Sequence, residues 1–236
     1  MNAAAPLDPL EAYALWAAEY PAQAHNPLMQ AEERAMLTLL PRDLQGLAVC
    51  DAGCGSGRYL FQARRRGAQT LIGVDLSEPM LNRASAEMMR LLQPEERDAI
   101  RLQQGSLERL PVPDAWADIT LCGLTLGHLP ALEPALAELR RVTRPGGSIF
   151  CSDLHPIGQE LGWERTFKVA GARYAVRHTW HTRQAWEEAA QMVGLSVGRV
   201  LEPRLDPADI PPNAHFDPRA LEVPVALVLE LRPLLP

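Results

Sequence analysis

Lysine is almost absent from the sequence. Lys168 is the only lysine among 23 basic residues in a chain of 236, and the formal net charge is −6. There is also no dense basic run. Proteins that bind nucleic acid or anionic membranes usually present clustered positive charge. We therefore expect neither nucleic acid nor a membrane as the partner of this protein.

Cysteine and long apolar runs are scarce as well. The four cysteines show no C-x-x-C spacing, so we expect neither a disulfide framework nor a zinc site. No apolar stretch approaches the ~20 residues that span a bilayer, and no export signal is visible, so we expect a cytoplasmic protein. The length and the 47% hydrophobic content suit one large α/β core in a single domain.

Three glycines separated by single residues interrupt the pattern early in the chain. The segment 48–59 reads A-V-C-D-A-G-C-G-S-G-R-Y, with glycine at positions 53, 55 and 57. Leu47 to Cys50 has the composition of a short buried strand, and Tyr59 to Arg66 that of a helix. Because glycine has no Cβ, such a turn allows the backbone to approach a ligand closely. The sequence predicts a strand, a glycine turn and a helix whose first turn faces a ligand.

Two carboxylates accompany this turn. A dinucleotide site has the pattern G-x-G-x-x-G, but Arg58 stands where the third glycine would be. Asp51, two residues before Gly53, would repel a pyrophosphate and suits a ligand with an ammonium group. Asp75 ends the next strand, 18 residues after Gly57, where a carboxylate can accept hydrogen bonds from ribose hydroxyls. The alternative is a purely structural glycine turn without a ligand.

In these residues the sequence resembles the class I S-adenosylmethionine-dependent methyltransferases of the small-molecule type. The resemblance implies a Rossmann-like, doubly wound α/β sheet of seven mostly parallel strands with an antiparallel last strand. It implies S-adenosyl-L-methionine as the cofactor, held through its methionine part by the glycine turn and through its ribose by Asp75. The predicted cofactor-binding residues are Asp51, Gly53, Cys54, Gly55, Gly57, Asp75, Leu76, Met80, Ser106, Leu107, Gly123 and Leu124.

The resemblance departs from the family pattern at one position. Many members carry aspartate where this chain has Ser106, which can still accept a hydrogen bond from the adenine amino group. After the strand Ile119 to Cys122, the loop from Gly123 to His128 is expected to face cofactor and substrate. The Asn- or Asp-Pro-Pro-aromatic motif of base-modifying relatives is absent from this loop, which argues against a nucleic-acid amine as the acceptor.

Helices precede and a hairpin follows the predicted core. Residues 10–45 read as a helical cap with helices over 10–20 and 28–40, followed by a cofactor-binding core over 46–153. Residues 154–182 read as a lid insertion, because apolar residues alternate on both sides of Gly171 as in a β-hairpin. Residues 183–236 complete the sheet. The predicted substrate-pocket residues are Tyr20, His25, Met29, Tyr174, His178 and Trp180, with Asn26 and Glu32 as further candidates, although a packed or solvated role is an alternative for each.

Histidine is the residue best suited to serve as a general base near neutral pH. His128 and His155 follow core strands at the ligand end and are the predicted catalytic residues, ahead of His178 and His181. A metal site formed by His178 and His181 together with Asp153 and His155 is disfavoured, because in a strand residues i and i+3 point to opposite faces. The acceptor atom, whether oxygen, nitrogen or carbon, and the oligomeric state stay open.

Three function classes follow from these patterns. The first is methyl transfer to a small molecule by direct in-line displacement. The second is a protein that binds the cofactor without catalysis, and the third is a methyltransferase acting on protein or RNA. Two local features are also predicted: a charged turn over 94–98, and a tight turn at Pro145-Gly146-Gly147 before a strand over 148–152.

Overall fold

A computed structural model describes residues 6–212 and 216–234 of the chain. Its helices lie before, between and after the strands of one large sheet, in the alternating order that a parallel sheet requires. The helices are α1 (Pro9–Trp16), α2 (Pro27–Leu39), α3 (Arg58–Arg65), α4 (Glu78–Leu91), α5 (Pro94–Arg97), α6 (Glu133–Val142), α7 (Ile157–Glu160) and α8 (Arg183–Met192). Short 3-10 helices cover Leu126–His128, Pro207–Asp209 and Pro218–Leu221.

Nine strands form two sheets. They are β1 (Ala48–Ala52), β2 (Thr70–Asp75), β3 (Ile100–Gln104), β4 (Ala117–Gly123), β5 (Thr143–Leu154), β6 (Thr166–Val169), β7 (Ala172–Ala175), β8 (Leu195–Leu201) and β9 (Ala226–Pro233). The large sheet has seven strands in the order β3-β2-β1-β4-β5-β9-β8, and β6 pairs with β7 separately. β1 to β5 all run parallel to one another, whereas β9 runs antiparallel to both β5 and β8. The predicted fold class is confirmed.

Helices cover both faces of the sheet, which explains why its central strands are apolar on both sides. Along β1, Val49 faces α2 and α3, and Cys50 faces α6 and α8. Trp186 of α8 is fully buried in the second of these layers. This arrangement leaves the carboxyl ends of β1, β2 and β4 as the open edge where polar residues gather.

The hairpin is shorter than the sequence predicts. Its strands end at Ala175, and the main chain of Leu7 lies beside Val176 in a parallel bridge. Leu7 accepts a hydrogen bond from the Arg177 N–H and donates one to the Ala175 carbonyl. His178 and Trp180 therefore lie beyond the hairpin, because the chain turns there to the loop after β4, where the Thr179 N–H donates to the Gly127 carbonyl.

The hairpin packs on α1 rather than standing free. Phe167 is buried between Trp16, whose ring is 4.9 Å away, and Tyr174, whose ring is 5.4 Å away. Ala12 and Val176 complete this small cluster. Tyr174, predicted to line the substrate pocket, instead belongs to the aromatic stack that joins the hairpin to α1.

Two local predictions need correction. Residues 94–97, expected as a charged turn, form a single helical turn closed by a capping box between Gln93 and Glu96. Pro145-Gly146-Gly147 lies inside β5, which already begins at Thr143. The pairing with β4 shifts there, and Gly146 has a φ of 80°, so the glycines form a bulge within one strand rather than a turn before it.

A buried carboxylate joins the N-terminal helices to the sheet. Glu32 of α2 has no exposed surface and accepts hydrogen bonds from Tyr59 (2.6 Å), from Ser152 of β5 and from Arg58 (2.9 Å). Burying a charge is costly unless it is paired and hydrogen-bonded, and here all three partners are in place. Glu32 was a candidate for the substrate pocket, but both oxygens of its carboxylate are engaged in these hydrogen bonds.

We expect Glu32→Ala to lower the free energy of unfolding by about 3 kcal/mol, because the Arg58 guanidinium would stay buried without its main partner. Glu33 supplies the matched control, since it lies on the same helix and pairs with the same arginine but is partly exposed. Glu33→Ala should cost less than about 1 kcal/mol. Urea unfolding of the two variants measures the difference, and equal losses would contradict the assigned role of Glu32.

Candidate active site

A cavity of about 150 Å³ lies at the carboxyl ends of β1, β2 and β4, beneath α1. We call it the cofactor cavity. It is lined by Pro9, Leu10, Tyr13, Tyr20, Asp51, Gly53, Cys54, Gly55, Ser56, Arg58, Tyr59, Asp75, Leu76, Ser77, Met80, Gly105, Ser106, Leu107, Gly123, Leu124, Thr125, His128, Leu129 and Arg165.

The glycine turn forms the floor of this cavity. Gly53 has a φ of 74°, and its N–H donates to the Val74 carbonyl over 2.7 Å, which ties β1 to β2. A Cβ at Gly53 would lie 2.6 Å from Thr125 Cγ2, so a larger residue cannot be placed without displacing that side chain. Gly57, at a φ of 89°, precedes α3 as its N-cap. Glycine is therefore required here both by backbone conformation and by close packing.

Asp51 sits at the end of β1 with 1% of its surface exposed. Its Oδ2 atom is buried and, within the described part of the chain, has no hydrogen-bond partner. Burial raises the pKa of Asp51 to about 7, although nearby Arg58 opposes the shift. An unpartnered carboxylate oxygen in a cavity favours a ligand that donates hydrogen bonds there. The ammonium group of the methionine part of S-adenosylmethionine has this chemistry.

Asp75 ends β2 and is held by backbone donors. Its Oδ2 accepts from the Gly55 N–H and its Oδ1 from the Ser77 N–H, each over 2.8 Å. Burial raises the pKa of Asp75, and these two N–H groups act against the shift. Each carboxylate oxygen has a second lone pair, so the group can still accept bonds from a diol. The two backbone bonds fix the orientation in which it would do so.

The outer wall of the cavity is mostly apolar. Leu76, 51% exposed, and the buried Met80 and Leu107 line it beside Ser106. The Ser106 hydroxyl accepts from the Glu108 N–H over 3.1 Å, which orients this hydroxyl relative to its own turn. An apolar slot with one hydroxyl at its edge suits a flat aromatic base.

Three side chains from distant parts of the chain meet over the cavity. The Tyr13 hydroxyl lies 3.2 Å from His128 Nε2 and accepts a bond of 2.7 Å from Arg165 Nη2. Arg165 Nη1 donates to the Leu124 carbonyl over 2.9 Å, where Leu124 has a φ of 56°. His128 Nδ1 lies 3.3 Å from the Arg177 carbonyl, which assigns the proton to Nδ1 and the lone pair to Nε2. Burial, followed by the nearby Arg165 charge, lowers the pKa of His128 well below its usual value, so the ring is neutral.

A second, larger cavity of about 660 Å³ adjoins the first, and Tyr20, Leu124 and Arg165 line both. We call it the outer cavity. It lies between α2, the segment before β6 and the loop before β9. Its remaining lining residues are Trp16, Asn26, Pro27, Leu28, Met29, Leu154, Leu161, Gly162, Trp163, Glu164, Thr166, Arg173, Trp180, Leu205, Ile210, Phe216, Asp217, Arg219, Ala220 and Val225.

The comparisons with known proteins point to one family. Residues 50–151 match the family model described as a methyltransferase domain. A malonyl-[acyl-carrier protein] O-methyltransferase of Pectobacterium atrosepticum is 36% identical over 122 residues, which are 52% of this chain and 44% of that protein. An S-adenosylmethionine-dependent methyltransferase structure from Mesorhizobium loti aligns with a TM-score of 0.67 at 25% identity, covering 86% of this chain and 97% of that one.

Residues 50–151 of this chain thus match a methyltransferase domain, and the chain as a whole is similar to an S-adenosylmethionine-dependent methyltransferase structure. A further curated relative, a tRNA U34 carboxymethyltransferase of Pseudoalteromonas translucida, is 34% identical over 145 residues, 60% of this chain and 42% of that protein. The matched region thus spans less than half the length of these two curated relatives. The family model runs from β1 into β5 and so includes the glycine turn, Asp51 and Asp75.

The structure of this protein brings together most of the predicted cofactor-binding residues. Of the twelve, all except Gly57 line the cofactor cavity, and Gly57 instead shapes the start of α3. Of the predicted catalytic pair, His128 lines the cavity. His155 lies in neither cavity, because its ring accepts the Ile157 N–H and faces Glu202, 3.5 Å away.

The predicted pocket residues divide in the same way. Tyr20, Met29 and Trp180 line the outer cavity. His25 is exposed and packs its ring edge on Trp16 and Tyr20. His178 packs against Gly127 with both ring nitrogens buried and Nε2 3.7 Å from Asp153, and it lines neither cavity.

Sequence reasoning missed Tyr13 and Arg165. Tyr13 lies on the helical face that was read as apolar packing, and Arg165 lies on the alternating face assigned to the hairpin. Their contact joins residues 152 positions apart, so no local pattern indicates it. The aromatic hydroxyl on an otherwise apolar face and the arginine within an apolar alternation were the available signals.

The described part of the chain has neither a metal-binding cluster nor a membrane-spanning helix. Over residues 6–212 and 216–234, no three or more His, Cys, Asp or Glu side chains are grouped so that they would hold a metal ion. In the same residues, no helix is both long and apolar enough to cross a membrane. All four cysteines are buried and free, and Cys54 alone lines the cofactor cavity.

Gly53→Ala should lower the free energy of unfolding of this protein by about 2–4 kcal/mol. Two effects contribute: alanine is strained in the left-handed backbone conformation, and its Cβ would clash with Thr125. Gly46→Ala is the matched control, since Gly46 has a φ of 79° but open space around its Cβ position. The control should cost only about 1 kcal/mol. Thermal or urea unfolding compares the two, and a loss at Gly53 no larger than at Gly46 would show that close packing at the turn is unimportant.

Proposed function

We propose that this protein binds S-adenosyl-L-methionine in the cofactor cavity and transfers its methyl group to a small molecule that occupies the outer cavity. The observation that carries the proposal is the unpartnered Asp51 oxygen, buried in the same cavity as Asp75. Asp51 would receive the ammonium group, Asp75 the ribose hydroxyls, and the slot of Leu76, Met80 and Leu107 the adenine. Each part of the cofactor thus has a complementary group.

The cofactor supplies an activated methyl group, so the main tasks of the protein are to orient the acceptor and to exclude water. α1 covers the cofactor cavity through Tyr13 and the residues at its start, Pro9 and Leu10. Arg165 and Leu124, shared by both cavities, mark the place where acceptor and methyl group would meet. Direct displacement there requires the acceptor atom to approach in line at about 3 Å.

The role of His128 in this reaction is to hold Tyr13. Both side chains line the cofactor cavity, but the His128 Nε2 lone pair is engaged by the Tyr13 hydroxyl proton and is not free for an acceptor. His128 is thereby a positioning residue in the closed arrangement. It becomes a proton acceptor only for an acceptor molecule that displaces the Tyr13 hydroxyl. His155, in neither cavity, has no part in the proposal.

Similarity to relatives does not select the acceptor. The two curated relatives are named for a malonyl-[acyl-carrier protein] and for a tRNA, and both match less than half their length here. The net charge of −6 favours a small molecule over RNA. Cofactor binding without catalysis is the remaining alternative, and a cytoplasmic location stays a prediction.

Asp75→Asn should weaken binding of S-adenosylmethionine and of S-adenosylhomocysteine at least tenfold, because a carboxylate that accepts charge-assisted bonds is replaced by a neutral amide. Asp98→Asn is the control, since Asp98 is exposed and distant from the cavity lining. Isothermal titration calorimetry measures both, with NAD as a negative ligand. Equal affinity in the two variants, or tighter binding of NAD, would overturn the assigned ribose site.

The affinity for S-adenosylmethionine should also depend on pH through Asp51. In the free protein burial raises the pKa of Asp51 to about 7, and an ammonium partner would lower it again. Below this pKa the carboxyl must lose a proton to bind, so affinity should increase between about pH 5.5 and about pH 7.5. Asp51→Asn should bind more weakly and lose this slope. Titrations in buffers of different ionisation heat count the released proton, and an unchanged slope in the variant would assign it to another group.

A further inference from the structure

Arg165 is a half-buried cation that forms no ion pair with any described carboxylate. Its guanidinium donates to two neutral oxygens, the Tyr13 hydroxyl and the Leu124 carbonyl. Across the described residues no carboxylate oxygen lies within the 4.0 Å of an ion pair with it. A guanidinium has five N–H donors, and only two of these bonds are accounted for. Burying such a charge is costly unless an anion completes its surroundings.

The position of Arg165 decides which anion this is. The side chain lines both cavities, so it stands between the cofactor and whatever fills the outer cavity. Other arginines of the outer cavity differ from it. Arg219 is paired with Asp217 over 2.7 Å, and Arg173 is exposed at the hairpin. Within the described lining, this half-buried arginine without an ion pair therefore lies next to the place proposed for methyl transfer.

The walls of the outer cavity define the rest of the ligand. Trp16, Trp163 and Trp180 line it together with aliphatic side chains such as Leu28 and Leu154. Its volume of about 660 Å³ has room for a body much larger than a carboxyl group. Polar side chains such as Glu164, Asp217 and Arg219 also line it, and the aromatic and aliphatic walls between them favour an apolar or aromatic body. The complementary ligand is thus an amphipathic anion.

The site is poor in groups that could remove a proton from an acceptor. His128 Nε2 is occupied by the Tyr13 hydroxyl, and that hydroxyl in turn accepts from Arg165. Burial further raises the pKa of Tyr13, so the phenolate is not available near neutral pH. An alcohol or an ammonium acceptor would need a base at this point. A carboxylate needs none, because it is already ionised and nucleophilic.

We propose, on the basis of the function proposed above, that the acceptor is a carboxylic acid with an aliphatic or aromatic body, and that Arg165 binds its carboxylate. One carboxylate oxygen forms the bond to the methyl carbon while the carbon–sulfur bond breaks, and the electron pair of that bond stays on sulfur. The products are a neutral methyl ester and the neutral thioether S-adenosylhomocysteine, and no proton moves. Tyr13 and the Leu124 carbonyl orient the guanidinium for this contact.

Binding to the protein saturated with S-adenosylhomocysteine tests the proposal. The probes are octanoic acid and indole-3-acetic acid, each compared with its uncharged analogue, octanol or tryptophol. We expect each acid to bind at least ~10-fold more tightly than its alcohol, and Arg165→Gln to abolish this preference. Arg165→Lys should restore it in part, because the charge remains but the forked geometry is lost. Arg101→Gln, at an exposed arginine of β3, is the control and should retain the preference.

Turnover with S-adenosylmethionine gives the second readout, with the methyl ester identified by mass spectrometry. Binding of S-adenosylmethionine to Arg165→Gln separates the two proposals, since it should be retained if only acceptor binding is lost. If neither the unmodified protein nor any of the variants binds S-adenosylmethionine, the proposed function itself fails. If the cofactor binds but the alcohols bind or react as well as the acids, or if Arg165→Gln keeps the preference for acids, the carboxylate proposal is overturned.

Discussion

The pairing of the buried Glu32 carboxylate is the interaction on which the site depends. Its partners come from the helix after the glycine turn and from the central strand β5, while Glu32 itself belongs to α2 in front of the sheet. Three separate segments are thereby held in one geometry. Tyr59 is a partner of Glu32 and also lies against Gly123, where a side chain would not fit. Through its hydrogen bond with Tyr59, the Glu32 carboxylate thus holds one wall of the cofactor cavity in place.

Much of the fold can be predicted from short stretches of the sequence. The strands of the central sheet are short apolar runs that end at a polar residue, and their order follows from the alternation of strand and helix. Asp51 and Asp75 were predicted for the same reason, since each is the first charged residue after such a run. The glycine turn is equally local, because its unusual backbone angles require this residue type wherever the chain turns in this way.

The acceptor side was less predictable because it is built from long-range contacts. His128 was predicted because it follows a core strand, but its partners Tyr13 and Arg165 come from a helix and from the segment before the hairpin, and their neighbours in the sequence do not distinguish them. The alternation past Ala175 suggested that His178 continues the hairpin face. The chain instead leaves the hairpin after Val176 and bonds to Gly127 through the Thr179 N–H, which packs His178 against that glycine. Which segment takes a free strand edge is decided by the whole fold.

The N-terminal segment acts as a strap across the cavity. Leu7 is bonded through both backbone groups to the chain after the hairpin, and α1, which follows it, forms the roof of the cofactor cavity. The backbone bonds of Leu7 and the stacking of Trp16 on Phe167 join this roof to the hairpin. A displacement of α1 away from the cavity would have to break both contacts, so the segment from Leu7 to Trp16 and the hairpin form one unit with respect to such a movement.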